Sequence, residues 1–154
     1  MAYGTAGRTL SGLMAAAILY ASSNAWTAEL ITAAEAALPN SPDAGMTLRG
    51  ISRGPAIEQV SPAPGAKSVT SPVSFIVKLN ARNNEKIDRD SVKVIYLKAQ
   101  PIDLTPRIKP FLSDGGIEMK GAELPPGTHV LRIDVKDGQG RSSTALLTLK
   151  VGEK

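Results

Sequence analysis

Between Ala56 and Val151 the chain alternates apolar and polar residues over short stretches, and each stretch is bounded by Gly, Pro, Asn or Asp. A period of two sends successive side chains to opposite faces of a strand, one face buried and one wet. "VSFIVKLN" (73–80) puts Val73, Phe75, Val77 and Leu79 on one face. "SVKVIYLKA" (91–99) puts Val92, Val94 and Tyr96 on one side, with Ile95 and Leu97 opposite. "THVLRIDVK" (128–136) sets Leu131, Ile133 and Val135 against Arg132, Asp134 and Lys136, and "STALLTLKV" (143–151) turns Ala145, Leu147, Leu149 and Val151 inward. "AIEQV" (56–60) also alternates, and "RIKPFL" (107–112) and "GIEMKG" (116–121) are weaker strand segments. Together they predict about seven short strands, too regular in their turns for βαβ units and suited to an antiparallel β-sandwich. Aromatic residues are only 4% of the chain, so the predicted core is aliphatic.

The N-terminal stretch has another character. "MAYGTAGRTLSGLMAAAILYASSNA" carries one Arg8, an apolar run from Leu10 to Ala21, and small residues at Ser23 and Ala25. That order predicts a signal peptide over 1–25, cleaved after Ala25, with Ala28 as the alternative site and an uncleaved anchor as the competing reading. The apolar run is about a dozen residues, short of the roughly 20 that span a bilayer. The expected mature chain has 17 basic and 14 acidic residues, a net charge of +3, scattered along the strands. This distribution points away from a nucleic-acid stripe. Residues 26–55 are expected to form a short helix and a Gly/Pro-rich, loosely held arm before a sandwich over 56–154. Thr32 and Glu35 have the capping-box spacing that starts a helix, and Pro39 ends it. Arg49 and Arg53 are a candidate anionic contact, set against the simpler reading of two solvated arginines.

"SPAPGAKSVTSPVSFIVKL" (61–79), "KIDRDSVKV" (86–94) and "LPPGTHVLRIDVKDGQGR" (124–141) resemble the first turn and second strand, the entry to the third strand, and the last hairpin of bacterial immunoglobulin-like domains. The resemblance covers 56–151 and implies an Ig-like sandwich. It says little of function, because such domains serve as spacers, adhesin modules and enzyme appendages alike. His129 stands where these domains usually carry Tyr. It shares strand parity with Leu131, Ile133 and Val135, and is expected as a structural corner residue bonded to nearby backbone.

The chemistry-bearing residues are sparse. His129 is the lone histidine and there is no cysteine, a poor set for a transition-metal site. Asp88, Asp90 and Asp137 fall in turns where calcium could bind, but they lack a dense Asp/Asn/Gly loop. No Gly-x-Ser-x-Gly and no phosphate-binding loop occurs, and no catalytic residue or cofactor is expected. Carbohydrate platforms would need exposed rings, and Phe75 and Tyr96 fall on inward parity. The expectation is an exported, non-enzymatic module, periplasmic or secreted, that contacts an envelope or secreted protein. It binds no nucleic acid and has no stable membrane insertion after cleavage. The alternative is a small periplasmic ligand- or metal-binding carrier.

Overall fold

The computed structural model describes residues 27–46 and 52–153. The expected signal segment with Ala25, together with Trp26 and Arg49, lies outside the described residues. The strands are β1 (Ala28–Glu29), β2 (Ala56–Ser61), β3 (Val69–Thr70), β4 (Val73–Asn80), β5 (Ile87–Tyr96), β6 (Ile102–Asp103), β7 (Leu112–Ser113), β8 (Gly116–Glu123), β9 (Gly127–Asp137) and β10 (Ser142–Gly152). Two sheets form. One has the order β1-β8-β4-β2, with β7 also against β8; the other runs β3-β10-β9-β5-β6. In β4 the four residues expected inward are buried and Ser74, Lys78 and Asn80 are exposed. β9 buries Leu131, Ile133 and Val135 by the same alternation. The inner faces meet in one aliphatic core that encloses Phe75 and Tyr96.

The all-β sandwich expected from the alternation is therefore what the chain forms, with three differences. It is not purely antiparallel: β1 runs parallel to β8, and β3 parallel to β10. Both are two-residue pairings at sheet edges, too short to leave a hydrophobic period in the sequence. Next, "RIKPFL" is strand only at its last residue: Arg107–Phe111 lie in α2 (Thr105–Ile108) and the 3-10 turn Lys109–Phe111 that follows, and Leu112 opens β7. Pro106 and Pro110 cannot donate to a ladder, and the Asp103 carboxylate accepts the Thr105 N–H at 2.9 Å, which opens the turn. Ile108 then reaches the core from a helix instead of a strand.

The third difference concerns the arm. Thr32 and Glu35 make the expected capping box at the start of α1 (Ala33–Ala37). The arm's described residues are held against the sandwich, however. Leu30 and Ile31 are buried at 0% and 1% exposure within the sandwich core, and their N–H groups donate to the Glu123 carbonyl. Arg107 grips α1 with a bidentate pair to Glu35 (2.7 and 2.8 Å) and donates to the Leu30 carbonyl. Beyond α1 the chain meets the end of β5: Ala99 N–H donates to Pro39 O and Ser41 N–H to Leu97 O. Residues Ala44–Met46 then lie beside Val130 and Leu146 on the outer face of β9 and β10. At the far side Ser52 donates to the Ser142 carbonyl, and Gly54 comes so close that a Cβ there would stand 2.5 Å from that carbonyl. Leu97, expected on the outer face with Ile95, is buried at 5% exposure where Ser41 N–H meets its carbonyl.

Candidate functional site

Two of the buried polar residues, Lys98 and His129, lie at one end of the sandwich; Asp137 and Ser143 lie toward the other. His129 lies near the start of β9, opposite Leu149 of β10, with 1% exposure. Its Nε2 is 2.8 Å from the Pro125 carbonyl, four residues upstream, and its Nδ1 is 2.8 Å from the Tyr96 hydroxyl. A carbonyl only accepts, so Nε2 carries the proton; a neutral ring then accepts the Tyr96 O–H at Nδ1. Both nitrogens are satisfied in that one tautomer.

Lys98, 4% exposed, also packs on Tyr96, its Nζ 5.0 Å from the centre of the Tyr96 ring. Its ammonium donates to the Ala36 carbonyl at 2.9 Å and to Asn40 Oδ1 at 2.8 Å. No carboxylate pairs with it among the described residues. A continuous polar chain thus runs from the segment after α1, through Lys98, Tyr96 and His129, to Pro125. Burial pushes the Tyr96 hydroxyl up to about 12, with the Glu35 charge adding to it. Burial also pulls Lys98 below its ordinary value. His129 is lowered by burial and by the Lys98 charge, against the opposing Pro125 carbonyl. The sequence marked His129 alone. Lys98 left a signal that was missed: it shares the parity of Val92, Val94 and Tyr96, and a lysine on inward parity needs a partner.

The three carboxylates expected in turns are not brought together. Asp137 is buried at 2% exposure and fully engaged: Oδ1 accepts the N–H of Gln139 and of Arg141, and Oδ2 accepts Arg141 Nε at 2.7 Å. Burial raises its carboxyl, but the Arg141 side chain and these N–H groups outweigh that and hold it below the usual range. Asp88 and Asp90 lie not in a turn but in the irregular start of β5, where Asp88 accepts the N–H of Asp90, and both are exposed. Among the described residues no group of three or more His, Cys, Asp or Glu is placed to hold a metal ion. Phe75 and Tyr96 are buried and Phe111 is half-buried against the core, so these rings form no exposed platform.

Two surface features remain. A cleft of about 490 Å³ opens beside β1, with Pro72, Leu124 and Pro125 in its wall and Glu29, Glu123 and Glu153 along it. The sheet edges also differ. The outer edge of β8 is covered at its two ends by β1 and β7, and that of β10 at one end by β3. β2 is the last strand of its sheet and pairs only with β4 among the described strands, with Val60 40% exposed on it. No helix among the described residues is long and apolar enough to cross a membrane. Comparison of the chain with protein-family models, with curated proteins and with solved structures gives no match.

Proposed function

We propose that the chain is an exported, non-enzymatic Ig-like module that works through protein–protein contact in the bacterial envelope or outside it. The observation that carries this reading is the open edge of β2. A strand with one unpaired side offers a row of backbone donors and acceptors to a partner strand. The Ig-like assignment draws support from the strand order, in which a three-strand core β8-β4-β2 faces β10-β9-β5 and β3 crosses to lie parallel with the last strand. Export rests on the order of charge, apolar run and small residues before Ala25.

Two experiments test it. N-terminal sequencing of the protein from the envelope fraction should return Trp26 or Glu29; an intact Met1 in membranes supports the anchored form instead. A photo-crosslinking residue at Val60 should trap one discrete protein partner in intact cells, whereas the same probe at exposed Lys120 should not. Equal, diffuse labelling at both sites would reject the edge as the contact. The cleft beside β1 favours a second reading, a small-ligand carrier, because its volume falls within the roughly 300–1,000 Å³ of ligand sites. Saturable binding of a small molecule that is lost in Leu124→Trp would select that reading.

A further inference from the structure

The Lys98–Tyr96–His129 chain joins two parts of the molecule and holds two groups that can both be cationic. Lys98 ends on Ala36 and Asn40, so it ties down the strap that leaves α1 and crosses β9 and β10. His129 ends on Pro125. We propose that the chain is an acid-sensitive latch: protonation of His129 sets a second positive charge against the Tyr96 side chain that Lys98 also contacts, and frees the strap, residues Leu38–Met46, from the sandwich.

The charged and titratable groups around His129 decide the outcome. Tyr96 faces it from β5 and Lys98 from just beyond that strand. The β8–β9 connection supplies the Pro125 carbonyl, and Leu149 lies opposite on β10. From α1 the nearest carboxylate is Glu35, and Arg107 of α2 already takes both its oxygens. Glu123 and Glu153 line the cleft beyond Pro125, but among the described residues no carboxylate bonds the His129 ring, so its protonated form gains no ion pair. Its Nδ1 would also become a donor, and the Tyr96 hydroxyl would have to turn its proton away. The Lys98 charge already disfavours a charged His129, and with so little solvent at either group that repulsion is weakly screened. Lys98 has an escape, because its anchors are a helix-end carbonyl and an exposed Asn40, so the ammonium reaches water once the strap lifts. The Glu35–Arg107 pair keeps the root of the strap fixed, since Glu35 stays ionised down to about 2. Lifting the strap bares Val130 and Leu146 on the outer sheet face. The inference stands apart from the export reading.

Amide hydrogen exchange of the full mature chain, expressed as protection factors at pH 7.5 and 5.0, tests it. The reporters are Ser41 N–H and Ala99 N–H, which bond across the strap, with Leu104 N–H, bonded to Val94, as an internal control. In the wild type, protection at Ser41 and Ala99 should fall at least tenfold at pH 5.0 while Leu104 holds. In Lys98→Met and in His129→Gln that pH dependence should vanish. The His129 ring, followed by NMR in Lys98→Met, should titrate at a higher pH than in the wild type. Unchanged protection in the wild type, an equal fall at Leu104, the same fall in His129→Gln, or an unmoved His129 titration in Lys98→Met would each overturn the latch.

Discussion

His129 uses both ring nitrogens, so replacing it strands two buried partners. His129→Ala leaves the Tyr96 hydroxyl and the Pro125 carbonyl unpaired and opens a cavity; the expected cost is about 2–4 kcal/mol in a denaturant melt. Tyr96→Phe removes only the hydroxyl and should cost about 1 kcal/mol. The two losses overlap at one bond, so the double mutant should be less destabilised than the sum of the singles. Strict additivity would mean that the bond contributes nothing. Gly116 makes a different point at this scale. Its φ is 130°, and a Cβ there would collide with the Val77 carbonyl of the neighbouring strand. Gly116→Ala should therefore lower the melting temperature sharply although it adds a single methyl group, whereas an alanine at exposed Gly45, with open space around it, should be nearly neutral.

At the scale of elements, α1 shows how local and distant forces share a short helix. Five residues are too few to be stable alone, so the capping box sets where α1 starts and Arg107 decides that it stays. The Arg107 side chain beside it, aided by the Thr32 N–H, holds the Glu35 carboxyl at about 2 against an ordinary 4.5. Glu35→Gln should cost about 1–2 kcal/mol at pH 7, a figure reduced for the partial exposure of both side chains. The loss should disappear near pH 2, where the wild-type carboxylate is itself protonated. The long strands were legible because alternation repeats within each of them: the inward faces of β4, β9 and most of β10 can be read from residue types alone. Thr32 and Glu35 were legible because a cap is a spacing of three. Arg107 was not, since nothing in "TPRIKPF" says that its guanidinium reaches a helix 72 residues upstream. Lys98 and Asn40 were hidden in the same way, by a contact that exists only after the strap has crossed the sheet. The edge strands β1 and β3 are two residues each, shorter than any period.

For the whole molecule, the lowered groups set the response to acid. The folded state holds fewer protons on His129 and Glu35 than the unfolded chain does, so stability falls as pH drops. The His129 contribution is complete above its ordinary 6.5 and is lost as pH falls through its lower folded value; that of Glu35 is complete above 4.5 and is lost toward 2. Chemical melts from pH 8 to pH 2 should show a plateau, then a decline from His129 and a second, carboxylate decline to which Asp137 and Asp103 add to Glu35, and His129→Gln should erase the first while keeping the second. Leu30 and Ile31 bear on where the folding unit begins. Burial of two such side chains is worth roughly 3–6 kcal/mol, so a fragment of residues 55–154 should melt well below the full mature chain. Equal melting of the two would show that the segment before β2 adds nothing. The pairing of β1 with β8 also has a consequence for time. Ala28 meets Ala122, and Ser52 meets Ser142. Residues around Ala28 and Ser52 find their seats only when strands made about 90 residues later exist, and closing loops of that length is slow. Until then Leu30 and Ile31 travel uncovered, so the interval between emergence and docking is the period in which a holdase has something to hold.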